Sequence, residues 1–510
     1  MKTLKYYIPL LWVSVLFILQ SCYKDKGNYD YTEISKIVID QDYDIPESSA
    51  SQMITQDDTL KIIPLITLNG IKEGDLEYLW DCALQNTQNP QFTELSRERD
   101  LNIKCTLQAD KYDLRFKVTD KHTGVSTYAY YNLTVNSITA RCILLLCKEG
   151  PNEYDIYTCP IDATRGSIVY QIGKKMYSAR NGHMLKDAVK LVYWNNISSE
   201  SLLWALQTNG GETLSGFDLT KHGDASEWFF ETPAVIRPTN IYGDINGREY
   251  FLLSDGGVHM IDNELAPPFK ASLKAGVSDG TTYNIEEAAY LQTNKARRYA
   301  FWDKQHSRFL QWDYSAGCLK PFDAVDLEAK PNSFDPNQMS GMTPLCFGSY
   351  DGGRYNPACS YNFFKGNDGQ VHLFTFKGSA TTIEPDQHRI IDAAVGLGEA
   401  DCMAVFSYYD MIYYAKDNTI FVFDPNSPVS EHHAIYTDED QDIRFTGMHC
   451  NYDFATLYVS ARKGDKDYVY RLYVTSSGDL SQPTTARPEV VQKVGPYPEI
   501  VNMEMLFKNY

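Results

Sequence analysis

The residues best suited to chemistry in this 510-residue chain stand at its start and in a few loops. Cys22 follows Leu19-Gln20-Ser21 and closes an apolar run, Ile8 to Leu19, that is headed by Lys2 and Lys5. A cut before Cys22 would leave its amine and thiol side by side, both open to acylation. One acyl chain holds a protein at a bilayer marginally and two or three hold it stably, at about 0.8 kcal/mol per buried CH₂. The apolar run is too short for a membrane helix, which needs roughly 20 residues, so residues 1–21 read as a lipoprotein signal peptide. A plain secretory signal with an incidental cysteine is the competing reading. Residues 22–31 are polar and contain Gly27, the composition of a tether.

Further along, Phe347 to Phe364 reads FGSYDGGRYNPACSYNFF. Tyr350, Arg354, Tyr355 and Tyr361 are the candidate ligand-binding residues. Tyr and Arg give contact area and directed hydrogen bonds at small entropic cost. The same aromatics would equally serve as packing between sheets. Gly276-Val277-Ser278-Asp279-Gly280 spells a nucleophile elbow, but it sits in a polar loop without the strand and helix that motif requires, so it reads as an Asp-Gly turn. Glu431, His432 and His433 carry metal-ligand chemistry, yet adjacent histidines on a strand point to opposite faces. Asp438, Glu439, Asp440 and Asp442 offer the oxygens that calcium takes, without the spacing of an EF-hand loop. GNDGQVHLF from Gly366 faintly resembles the Asp-box turn of sialidases, but the Ser/Thr and Trp positions of that motif do not match. No nucleophile pairs with a base, so no catalytic residue, no metal ligand and no cofactor is expected, calcium being the one ion these acidic loops suit.

The elements that carry these residues are strands. In 32–137, Leu76, Tyr78, Trp80 and Cys82 alternate with Glu77, Leu79 and Asp81, and Tyr112, Leu114, Phe116 and Val118 alternate with Asp113, Arg115 and Lys117. A period of two with one apolar face means half-buried antiparallel strands. About seven such strands predict an immunoglobulin-like β-sandwich with Trp80 at its centre. Cys82 and Cys105 both fall on inward faces, where they would either pair across the sandwich or serve as small core residues.

The remainder, 138–510, repeats weakly. Strand-like segments centred on Tyr157, Gly216, His259, Leu310, Leu373, Phe421 and Arg471 recur at spacings of 43 to 63 residues, most preceded by a second strand and a turn. A unit of about 50 residues holding hairpins predicts a β-propeller. Seven segments give seven blades, with six or eight left open by the uneven spacing. The expected fold class is therefore all-β, a sandwich followed by a propeller. A ring must close, so RCILLLCK from Arg141 and VNMEMLF from Val501 are expected to meet in one blade.

The formal charge is −19, and loss of Lys2 and Lys5 with the first 21 residues takes it to −21. Such a body repels phosphate backbones, which argues against nucleic acid.

CYKDKGNYDY followed by TEISKIVI, with KYDLRFKVTD and YNLTV further on, resembles the PKD-like lipoproteins of Bacteroidetes. The resemblance covers the anchor and the first domain, to about Asn136. It implies an outer-membrane protein, lipid-anchored through Cys22 and facing the cell surface, that binds or presents a peptide or glycan nutrient. Its implied partners are a TonB-dependent transporter of the starch-utilisation type and that transporter's surface lipoprotein. Asp25 resembles the acidic export signal of the phylum, diluted by Lys24 and Lys26. Asp58-Thr59-Leu60 is similar to its O-glycosylation triplet. Two further readings stand beside this one: a propeller-fold hydrolase or lyase acting on extracellular polymer, and a structural or adhesive surface lipoprotein.

Overall fold

The computed structural model of the chain describes residues 36–505, apart from 42–48, 57, 86, 88, 108–109, 137–141, 161–172, 195–201, 217, 244–248, 263–269, 293–296, 351–357, 380, 407–408, 428–429, 452–454 and 486–488. The chain divides into two compact units, Met1–Asn136 and Ser137–Tyr510.

In the first unit the alternation seen in the sequence becomes a five-stranded sheet. Its order is Ser51–Thr55, Ser126–Asn136, Lys111–Asp120, Leu76–Leu84 and Thr93–Ser96. Two short pairs, Lys36–Asp40 with Leu65–Asn69 and Thr59–Ile62 with Leu101–Lys104, contribute to the same core. Trp80 is fully buried there, stacked 4.3 Å from Phe116, and its indole N–H donates to the carbonyl oxygens of Glu98 and Arg99. Cys82 and Cys105 lie in this core as thiols not joined in a disulfide, and burial pushes Cys82 up to about 11. Asp81, on the opposite face, is also buried, because Arg115 grips it through two bonds of 2.9 and 2.6 Å while stacking on Phe92.

The second unit holds seven sheets among the described residues, six of four strands and one of three. Each is a blade. Blade 2, for instance, runs Ala188–Trp194, Leu202–Gln207, Gly211–Ser215 and Lys221–Asp224 from its inner to its outer edge. Blade 3 begins at Pro238–Gly243, blade 4 at Ile285–Gln292, blade 5 at Met342–Tyr350, blade 6 at Cys402–Phe406 and blade 7 at Arg444–Asn451. Every one of the seven segments picked out by the sequence repeat contributes to the third strand of its blade, counted from that inner edge.

Seven hydrophobic cores fill the seven gaps between neighbouring blades. Leu144 and Leu146 of blade 1 pack with Leu191 and Leu203 of blade 2. Trp204 meets Leu252, Phe251 meets Trp312, Trp302 meets Phe364, Phe363 meets Ile412, and Tyr413 meets Leu457 in the cores that follow. Ile143, Leu145 and Cys147 then pack with Tyr458 and Val469 of blade 7, which brings the sequence of cores back to its start. A strand buried on both faces reads as a continuous apolar run, which is why Cys142 to Cys147 shows no alternation.

The ring closes through its last strand. Glu499–Met505 pairs antiparallel with Cys142–Gly150, Ile143 opposite Met505 and Leu145 opposite Met503, and is the innermost strand of blade 1. Its side chains also bind blade 2: the amides of Leu191 and Tyr193 donate to Asn502 Oδ1 and Glu504 Oε1, both at 2.9 Å. The two segments expected from the sequence to latch the ring are these strands.

Candidate functional site

Blade 5 carries one wall of a cavity at its seam with blade 6. Its strands run Met342–Tyr350, Cys359–Gly366, Val371–Gly378 and Ile383–Ile391, and strand periodicity puts Cys359 and Tyr361 on the face that carries Leu373, Thr375 and Lys377. That face looks toward blade 6, where Asp410 precedes the strand Met411–Lys416 and Pro425 and Asn426 follow Thr419–Phe423. Buried apolar residues of both blades, Phe363, Ile412, Tyr414 and Phe423, seal the interface. Beside this seal a cavity of about 290 Å³ opens, lined by residues of both blades, Tyr350, Tyr361, Lys377, Arg389, Asp410 and Asn426 among them.

A β-bulge shapes its outer wall. Thr375 lies opposite Gln387 and Phe376 opposite Pro385, so Asp386 is an extra residue without a partner across the ladder. A bulge re-aims side chains locally, and here consecutive residues, Asp386 and Gln387, both line the cavity. Proline at 385 is tolerated because the strand is the outermost of its blade.

The polar groups form two knots. In one, Lys377 meets Asp386 at 3.0 Å and Thr375 donates to the same carboxylate at 3.1 Å. Burial opposes the charge on Lys377, but the bond to Asp386 and the charge of the acidic groups around it together outweigh burial and hold the ammonium above its ordinary value. In the other, the Tyr361 hydroxyl donates to Asp410 Oδ1 at 2.6 Å and the Asn426 amide to Oδ2 at 2.7 Å. Burial pushes the Asp410 carboxyl up, against the two donors, which pull it down. Tyr361 is driven well above its ordinary value, by burial first and by the neighbouring Cys359 and Asp410 next. Arg389 lines the same cavity. Its Nη1 donates to the carbonyl of Ser427 at 3.0 Å, its Nη2 is buried without a hydrogen-bond partner, and burial lowers its affinity for the proton.

Two of the four residues singled out in the aromatic stretch, Tyr350 and Tyr361, line this cavity. Both are buried, at 8% and 3% exposure, and the Tyr361 hydroxyl is taken up by Asp410. Arg354 and Tyr355 lie outside the described residues, as does Cys22. Lys377, Arg389 and Asp410 carried no sequence signal, since each is a single polar residue on or beside a strand.

The other polar motifs have structural work. Ser278 sits in the turn between Val277 and Gly280, and Asp279 is held by the N–H of Thr281 and by Arg308. Asp438 accepts the hydroxyls of Tyr436 and Tyr470, and Asp440 pairs with Lys463. His433 pairs with Asp479 at 2.7 Å, while His432 contacts the carbonyl of Ser430. Asp368 caps a turn through the N–H of Gln370 and meets His372. Among the described residues no three His, Cys, Asp or Glu side chains converge as a metal site would require.

These features define an all-β protein, a sandwich followed by a seven-bladed propeller with a polar cavity at a blade seam. Residues 22–188 match the PKD-like family, a stretch that takes in the first unit from Cys22 onward and continues through the strands Cys142–Gly150 and Glu153–Pro160 of blade 1. No curated protein matches the chain. Among solved structures it is similar to a quinonprotein alcohol dehydrogenase-like protein of Bacteroides thetaiotaomicron, at 12% identity and a TM-score of 0.36, over 84% of this chain and 92% of that one. It is similar also to a putative 6-phosphogluconolactonase of Bacteroides uniformis, at 10% identity and a TM-score of 0.38, over 85% and 100%. A third, the extracellular domain of a putative one-component system of B. thetaiotaomicron, gives 13% identity and a TM-score of 0.36, over 79% and 58%.

Proposed function

We propose that this chain is a lipid-anchored protein of the outer membrane, facing the cell surface, that binds or presents a nutrient for a neighbouring TonB-dependent transporter. The observation that carries this reading is the junction at Cys22. The family match begins at that residue, and the sequence before it is an apolar run ending in Leu19-Gln20-Ser21. A cysteine there gives two or three acyl chains a point of attachment, enough for stable anchoring. In this reading the sandwich is the stalk, the propeller is the contact body, and the cavity lined by Tyr350 and Tyr361 takes the ligand, a glycan or a peptide. The protein acts as a binder without catalysis of its own, and no cofactor takes part.

The test has two arms. Cells fed labelled palmitate should incorporate it into the wild-type chain and not into Cys22→Ala, which should leave the membrane fraction. From detergent-solubilised membranes, the wild type should co-purify with a transporter of the TonB-dependent class. A Cys22→Ala chain that stays in the envelope, with neither version labelled, defeats the anchor. Robust turnover of a glycan or peptide, abolished by one acidic substitution, favours an enzyme instead.

A further inference from the structure

We infer that the cavity at the seam of blades 5 and 6 receives a small ligand through a carboxylate seated on Arg389. The inference rests on the reading of that cavity as the ligand site and names the chemistry it recognises.

The argument is one of unmatched donors. The guanidinium of Arg389 is fixed at one end by the Ser427 carbonyl, while Nη2 is buried and has no acceptor. A buried N–H without an acceptor is costly, and a charged one more so, which makes such a group rare in a folded protein unless something completes it. Among the described residues the protein's own charges do not. Asp386 is held by Lys377 and Thr375, and both oxygens of Asp410 are held, by Tyr361 and Asn426. Asp424 acts on Arg389 only through space, its Oδ1 accepting the Asn426 N–H at 2.8 Å. With Asp386 taken up by Lys377 and Thr375, and both oxygens of Asp410 taken up by Tyr361 and Asn426, Arg389 is the cation of the cavity left with an unmet donor.

The residue type narrows the ligand. A planar guanidinium matches the two oxygens of a carboxylate, where an ammonium would serve as a point charge only. The size narrows it further. About 290 Å³ is at the small end of ligand pockets, which start near ~300 Å³, so one unit enters rather than a length of polymer. Gln387, exposed at the rim, and Asn426 offer amides to neighbouring hydroxyl or amide groups. A uronic acid unit and the C-terminal residue of a short peptide both carry this chemistry.

Calorimetric titration of the detergent-solubilised full chain separates them. The probes are galacturonic acid against its methyl ester, and N-acetyl-alanyl-alanine against its C-terminal amide. One acid should bind at least tenfold more tightly than its neutral partner, and which acid does so identifies the source. Arg389→Met should weaken that binding at least tenfold while the melting temperature is retained. Should Arg389→Met fail to fold, Arg389→Lys, which keeps the charge and loses the fork, should show the same loss in a folded protein. The inference is overturned if neither acid binds at 10 mM, if acid and neutral probes bind alike, or if a folded Arg389 variant binds as the wild type does. Equal binding of acid and neutral probes leaves the nutrient-binding reading intact and removes only this one. An absence of all binding removes both.

Discussion

A chain that stops after Pro498 should fail to form a stable propeller. The cut removes the innermost strand of blade 1 and with it three buried side chains, Ile500, Met503 and Met505. At about 2 kcal/mol for each buried aliphatic side chain, the apolar loss is about 6 kcal/mol. The amides of Leu191 and Tyr193 lose their acceptors on Asn502 and Glu504, and Asp467 loses the N–H of Ile500 at 2.7 Å. At about 1 kcal/mol per bond these bring the total to about 9 kcal/mol. A folded domain has only about 5–15 kcal/mol in hand, so the truncated ring should lie near or past its limit. Differential scanning calorimetry and limited proteolysis read the outcome. The full-length chain should give a cooperative melt of the propeller, and the truncated one should lose it and be cut between blades. A synthetic peptide of residues 499–510 should restore protection in trans, while a scrambled peptide should not. If the truncated chain melts within a few degrees of the full-length protein, the ring does not depend on its last strand and the closure described above is wrong.

Three further outcomes are expected. Trp80→Ala should cost the first unit about 3–5 kcal/mol, seen as a large drop in its thermal midpoint, because the indole is fully buried against Phe116. Arg115→Met should destabilise the same unit by about 3–5 kcal/mol, measured by urea denaturation, because it strands the carboxylate of Asp81 in a buried position, and Asp81→Asn on top should recover part of the loss. Glu504, pushed by burial from 4.5 up to about 7, should make the propeller pH-sensitive. The folded chain holds that proton to higher pH than the unfolded chain, so the contribution is complete below 4.5 and is lost as pH rises through 7. Glu504→Gln keeps the acceptor for Tyr193 and should raise the melting temperature more at pH 8 than at pH 5, and an equal effect at both pH values would contradict the burial.

Much of the fold could be read from strand chemistry. Tyr112 to Val118 alternates because one face of its sheet meets the sandwich core and the other does not. The third strand of each blade stands out because it is flanked by a second strand and a turn. The inner strands were harder to see. Cys402–Phe406 is intermediate in exposure on both faces for nearly its whole length, and Met342–Tyr350 runs from a partly exposed start to a buried end, so neither shows one clean apolar face or a continuous apolar run. The latch was legible in Cys142–Cys147, where both faces are covered. The candidate site was legible only through its tyrosines. Tyr361 drew attention as part of an aromatic loop, but it sits on a strand and packs between blades. Arg389 and Asp410 come from different blades, and no local pattern joins residues whose proximity is made by the ring. The bulge at Asp386 also left no mark, since it depends on the pairing of two strands rather than on one of them.

The last strand of the chain completes the first blade, and this fixes the order in which the molecule can mature. A polypeptide emerging N-terminus first can assemble the sandwich early, for all of its strands come before residue 137. The propeller has no such freedom. Until Glu499–Met505 has been delivered, blade 1 lacks its inner edge and the seam to blade 2 lacks Asn502 and Glu504. A ring of this design stays open until the final segment has been made, and closes only when that segment arrives.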